Sequence, residues 1–160
     1  MTLYKASDIA KEFVQIAAKY GERLSHMKLQ KLVYFAHGWH LGLTGKPLLD
    51  ETIEAWQYGP VIRSLYDEYK RNGSQLLTPH ALQNQPQSLP EAVKILIEKI
   101  WNLYGHFTAF QLSSLTHEEG SPWYQVTHFY KDLAKLPQGL DVPDEKIAAY
   151  FAQQKSIAHE

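Results

Sequence analysis

The chain has 160 residues, 44% of them hydrophobic, with no cysteine and a formal net charge of −1 at pH 7. This length and apolar content suit one domain with a real core, and the missing cysteines exclude disulfides and thiol chemistry. With 16 Lys and Arg against 17 Asp and Glu, the chain lacks the long-range pull of a basic protein toward nucleic acid.

The N-terminus leads at once into an amphipathic segment holding Lys11 and Glu12, with no apolar leader and no run of 18 or more apolar residues. The expectation is a cytoplasmic protein that does not enter a membrane. Ser7 reads as the cap of a first helix, with Ile9, Phe13, Ile16, Ala17 and Tyr20 along one face and Gly21 as its stop. A second helix starts near Ser25 and carries Leu29, Leu32, Val33, Ala36, Trp39, His40 and Leu43 at a 3.6-residue period. Gly45 and Pro47 end it. Gly38 and Gly42 stand four apart inside this helix. Each costs about 1 kcal/mol against Ala at an exposed site, so close approach by another segment is the expected compensation.

Thr52 to Tyr58 alternates weakly and predicts one short extended element. Gly59-Pro60 reads as a turn, with Pro60 suited to the first position of a helix bearing Val61, Ile62, Leu65, Tyr66 and Tyr69. From Gly73 to Ser88 the chain holds four Gln, one Asn and two Pro and reads as a long loop with a brief strand at Leu76-Leu77. Ser88-Leu89-Pro90-Glu91 and Thr108-Ala109-Phe110-Gln111 both have the capping-box spacing. The first opens a helix with Val93, Leu96, Ile97, Ile100 and Tyr104 on one stripe. The second opens a short one with Leu112 and Leu115 buried, broken at Gly120-Ser121-Pro122. Residues 125–140 give no clear pattern, and Val142-Pro143-Asp144 starts a last helix with Ile147, Tyr150 and Phe151. The fold class is mainly α: a compact bundle of five to seven helices with one short extended or β element around residues 52–58. Residues 1–152 form a single domain, and 153–160 read as a frayed tail.

No spacing in the chain carries a covalent chemistry. His37 and His40 share a helix face, and Glu51 or Glu54 would be needed as a third metal ligand, but neither HExxH nor any cysteine-bearing zinc pattern occurs. The simpler reading places one histidine at the core rim and the other at the surface, with no metal and no cofactor. Ser113-Ser114 beside His117 is a helical spacing, not a nucleophile elbow. Phosphate-cradling glycine motifs are missing. The adjacent carboxylates at 50–51, 118–119 and 144–145 lie beside turns, where solvated or helix-terminal roles suffice. The chain is therefore read as no enzyme. What stands out is a surplus of aromatics near turns, among them Trp56, Tyr58, Tyr66, Trp123, Tyr124, Phe129 and Tyr130, residue types that serve equally as core and as protein-binding anchors.

Two blocks go beyond pattern: Met27 to Gly38, reading MKLQKLVYFAHG, and Glu54 to Val61, reading EAWQYGPV. With Leu48-Leu49, Leu115-Thr116-His117 and Pro122-Trp123 they make the chain resemble the Panacea domain, a SocA-like, phage-associated antitoxin family, over nearly its whole length. The resemblance implies an antitoxin that neutralises a cognate protein toxin by direct association. It also leaves open a proteolytic adaptor that passes the toxin to a protease or unfoldase. A DNA-binding autoregulator is the remaining alternative, although the segment from Thr108 to Glu119 offers a DNA groove little positive charge. The family has no agreed catalytic residues.

Trp56, Tyr58, Gly59, Pro60, Tyr66, His117 and Trp123 are the expected partner-binding or scaffold residues, with Gly38 and Gly42 packing helices. Trp56 and Tyr58 would share a face of an extended arm. The turn at Gly59-Pro60 is expected to meet the turn flanked by His117 and Trp123. The loop at 73–88 and the stretch at 125–140 do not match the family pattern and are places where partner choice could reside. Oligomeric state and toxin identity are left open by the sequence.

Overall fold

The computed structural model describes residues 2–73, 75–77 and 88–158, with side chains through 154. Most of the polar loop assigned to 73–88, and with it any role in partner choice, lies outside the described residues.

Among the described residues are seven α-helices and a three-stranded antiparallel sheet. In chain order these are α1 (Ala6–Lys19), α2 (His26–Thr44), β1 (Ile53–Trp56), β2 (Gly59–Val61), α3 (Arg63–Tyr69), α4 (Glu91–Tyr104), α5 (Ala109–Thr116), α6 (Pro122–Thr127), β3 (Asp141–Val142) and α7 (Asp144–Ala158). Short 3₁₀ turns stand at Lys70–Asn72 and Leu133–Lys135. The mainly α class expected from the sequence is what folds, with the extended element at 52–58 enlarged into a sheet of order β2-β1-β3. No helix among the described residues is long and apolar enough to cross a membrane.

The axis of the molecule is α2. Ser25 caps it by accepting a hydrogen bond from the Lys28 amide, and Gly45 ends it in the left-handed region at φ +74. The expected single apolar stripe is not how it packs. Every residue from Leu29 to Gly38 is buried, whereas Leu43 is exposed. A helix apolar on all sides belongs in the middle of a core, and α2 indeed lies against α1, α4, α5 and, most extensively, α7. The glycines explain the last contact. A Cβ on Gly38 would overlap the Phe151 ring, and one on Gly42 would stand 2.7 Å from the Phe151 Cβ and 3.0 Å from the Ala152 nitrogen. The two missing side chains let α7 press directly onto α2.

Several ends differ from expectation for physical reasons. Lys5, not Ser7, precedes α1, and the first-turn amide of Ala6 is capped instead by Glu51 from 45 residues away, at 3.2 Å. Pro90 takes the N-cap of α4 with no side-chain bond, so Ser88 does not cap that helix. At α5 the box forms in full: Thr108 accepts from the Gln111 amide while the Gln111 side chain accepts from the Thr108 amide. The backbone of α7 stays helical through Ala158, past the start of the tail assigned at 153.

The largest difference is at the second motif. Gly59-Pro60 is not a turn into a helix. The chain turns at Gln57-Tyr58 and returns as β2, with Glu54 opposite Val61, Ala55 opposite Pro60 and Trp56 opposite Gly59. Pro60 fits because β2 is an edge strand, where a missing N–H breaks no ladder. Gly59 fits because its φ is +120, a conformation side chains oppose. Trp56 therefore ends a strand and Tyr58 sits in the turn, so they do not share a strand face.

Candidate functional site

Polar residues of the first motif point inward from α2 and grip the hairpin. The Gln30 side-chain amide donates to the Ile62 carbonyl at 2.9 Å and accepts from the Ile62 amide at 3.0 Å, as a neighbouring strand would. Lys31 is only 2% exposed and donates to the Pro60 carbonyl at 3.2 Å. Burial pulls its amine down from the usual lysine range to about 8. A Cβ on Gly59 would stand 3.0 Å from the Lys31 Nζ, 3.0 Å from Thr116 Oγ1 and 3.2 Å from His117 Cε1. Glycine there is thus demanded by space as well as by φ.

The hairpin end, in place of a turn at Gly59-Pro60, meets the corner flanked by His117 and Trp123 here. The Trp123 indole N–H donates to the Trp56 carbonyl at 2.7 Å, and Ser113 Oγ donates to the Tyr58 carbonyl at 3.1 Å. The His117 ring lies on Trp123 with centroids 4.1 Å apart. Its Nδ1 is 2.6 Å from the Ser113 carbonyl. Since a carbonyl only accepts, that nitrogen carries the proton. Trp123 is buried, and Ser121 caps α6 from the Tyr124 amide, which fixes the corner.

On the outer side of the hairpin, Arg63 holds Glu54 by two parallel bonds, Nε to Oε2 and Nη2 to Oε1, each 2.9 Å. The bonds from Arg63 keep the Glu54 carboxyl below its usual range. Burial opposes this, and the Trp56 indole N–H adds a third bond. The Trp56 ring is half-buried between the Arg63 guanidinium, 5.2 Å from its centroid, and the Tyr66 ring at 4.7 Å. Trp56, Tyr66, Gly59, Pro60, His117 and Trp123 are thus brought into one connected platform. Tyr58 is joined to it through its carbonyl, which accepts from Ser113. Its side chain is 66% exposed beside Phe110, which is 81% exposed, and the two border an open depression of about 350 Å³ with Glu118 at its rim.

The histidine pair goes elsewhere. His37 is fully buried, not at the core rim. Its Nδ1 accepts from the Leu49 amide at 3.3 Å, which puts the proton on Nε2, 2.9 Å from Asp144 Oδ1. His40 donates to the Lys46 carbonyl at 2.7 Å. Glu51 caps α1 and accepts from Ser64, and Glu54 is held by Arg63, so neither approaches the histidines as a ligand. No group of three His, Asp or Glu able to hold a metal converges among the described residues.

A family model described as "Antitoxin SocA-like, Panacea domain" matches residues 29–124, from the gripping face of α2 through Trp123. The chain belongs to this family. It is also 29% identical over 163 residues to Antitoxin SocA of Caulobacter vibrioides (strain NA1000 / CB15N), an alignment covering 94% of this chain and 84% of that protein. No solved structure matches the chain. In this Panacea-domain chain both motif blocks build the platform: Gln30 and Lys31 are spent on internal bonds there, as are Glu54 and the Trp56 carbonyl, while His37 is spent on Leu49 and Asp144 away from it. Sequence reasoning missed Gln30 and Lys31. The available signal was two polar residues inside a helix apolar on every side, which places them in a core where each needs a partner.

Proposed function

We propose that the chain is an antitoxin that neutralises a cognate protein toxin by direct association. The observation that carries this reading is membership of the SocA-like antitoxin family, together with similarity to Antitoxin SocA along 94% of the chain. The geometry supports binding over catalysis. The polar motif residues are engaged inside the fold, while Tyr58 and Phe110 stand exposed on a braced platform, where aromatic anchors suit a protein partner. We place first contact with the toxin on this Tyr58–Phe110 surface, with Trp56, Gly59, Pro60, Tyr66, His117 and Trp123 as its scaffold.

The test is co-expression with each neighbouring open reading frame. The proposal expects one neighbour to arrest growth alone, growth to return with this chain present, and the two proteins to co-purify. Rescue accompanied by rapid loss of the toxin, abolished in a protease-deficient host, would instead make the chain an adaptor. Regulation through DNA has less support, since α5 carries no Lys or Arg. A gel shift on the chain's own promoter at physiological salt is expected to be negative.

A further inference from the structure

A second feature lies between α2, α4, the α5–α6 corner and α7, away from the hairpin. It is a cavity of about 110 Å³ walled by Tyr34, Phe35, Tyr104, Tyr150 and Phe151, with Glu118 among its lining residues. The rings are held against one another. Phe35 and Tyr104 stack at 4.2 Å, Tyr150 meets Phe151 edge-on at 5.2 Å, and Tyr34 meets Phe151 at 6.2 Å. Tyr104 is pinned from behind, because its oxygen accepts from the Trp39 indole N–H at 2.8 Å.

Tyr34 is the informative residue. It is 2% exposed, and it belongs to the cavity wall. Burial pushes its phenol well above the ordinary range, with Tyr150 and Tyr104 adding to the effect. Burial likewise raises Tyr150, and Glu118 contributes to that rise. The cavity therefore gathers aromatic faces, phenol oxygens and the exposed Glu118 carboxylate, with no Lys or Arg among its described lining residues. Ring faces attract cations, and phenol and carboxylate oxygens accept the N–H bonds a cation donates. An anion would meet Glu118 and, among the described lining residues, no opposing positive charge.

We propose that this cavity binds an organic cation, an alkylammonium or guanidinium head that passes Glu118 and settles among Tyr34, Tyr104 and Tyr150. The volume exceeds what one water needs and suits such a head with its nearest methylenes. The head can come from a free amine or from a Lys or Arg side chain of a protein partner; the second source rests on the antitoxin reading.

Isothermal titration of the full chain with n-butylammonium and with agmatine is the test, n-butanol being the uncharged control. Millimolar or tighter binding of either cation is expected, with none of the alcohol. Glu118→Gln and Tyr34→Phe are expected to weaken it by about tenfold or more; both keep side-chain size, and circular dichroism checks their folding. A partner's side chain as the source predicts that butylammonium competes with the toxin and that Glu118→Gln weakens toxin binding about tenfold. A free amine as the source predicts amine binding with toxin affinity unchanged. If neither cation binds the folded wild type better than butanol does, the assignment is overturned, and a toxin still neutralised leaves the antitoxin reading standing. Amine binding without any toxic neighbour would sink the antitoxin reading and keep the cavity.

Discussion

The indole N–H of Trp123 lies 2.7 Å from the carbonyl oxygen of Trp56, a bond between residues 67 apart that ties the α5–α6 corner to the end of β1. It joins the two motif segments that flank the Tyr58–Phe110 surface, so the exposed aromatics sit on a brace rather than on a free loop. Trp123→Phe keeps most of the ring and deletes the donor. The expected loss is about 1–3 kcal/mol, set by the unpaired Trp56 carbonyl. Trp123→Ala adds a cavity at a residue 3% exposed and is expected to cost about 3–5 kcal/mol. Urea unfolding of the three proteins measures both, and equal stability of Trp123→Phe and wild type would remove the bond from the account.

The exposed pair separates contact from scaffold. Tyr58→Ala and Phe110→Ser remove side chains that cover little of the core, so each is expected to change stability by less than about 0.5 kcal/mol. In the complex the same changes are expected to cost about 2 kcal/mol each, or roughly thirtyfold in affinity, as anchors at a hot spot do. Toxin binding left intact by both would move the interface off this surface.

Gly38 and Gly42 set helix propensity against packing. Propensity alone predicts that alanine stabilises a helix by about 1 kcal/mol over glycine. The Phe151 ring over Gly38 and the α7 backbone over Gly42 reverse the sign, and each alanine is expected to cost about 1–3 kcal/mol by overpacking. Phe151→Leu costs stability by itself but should absorb part of the Gly38→Ala penalty. Gly42→Ala, which meets backbone, should show less relief. A double-mutant cycle by thermal or urea unfolding reads the coupling.

How much of this was legible depends on the range of each cause. Local causes were readable: Ser25 and Gly45 as the ends of α2, the Thr108–Gln111 box, and the need for close approach at Gly38 and Gly42. The meeting of the hairpin with the His117–Trp123 corner was also foreseeable, because glycine, proline and aromatics cluster at both. What escaped was set by residues distant in sequence. Glu51 caps α1 across 45 positions, and β3 brings Val142 beside Ile53 to complete a sheet around an element that read as a lone strand. Pro60 misled because proline suits a helix start and an edge strand equally, and only the pairing with Ala55 decides. Gln30 and Lys31 were hidden for a different reason. A period of 3.6 marks which residues are apolar, but it is silent on a helix buried on every side, where polar groups also face inward.

Lys31 gives the fold a pH dependence whose sign follows from its burial. Its amine ionises near 8 in the folded chain and near 10.4 when unfolded. Between these values the unfolded state holds more protons, so stability rises with pH. Below about pH 8 both states are charged and the folded state carries the full cost of the buried ammonium; above about 10.4 both are neutral and the cost is gone. The Tyr34 and Tyr69 phenols, pushed upward by burial, act oppositely above about pH 10, where the unfolded phenols ionise first. The useful window is therefore pH 8 to 10, and the useful quantity is a difference. Lys31→Met removes the titration while the tyrosines remain. Wild-type stability minus that of Lys31→Met is expected to rise by about 2 kcal/mol from pH 8 to 10, whatever the variant loses by leaving the Pro60 carbonyl without its donor. Urea midpoints of both proteins at half-unit steps supply the curve. A difference that stays flat across the window would mean that the Lys31 amine is solvated in the folded chain.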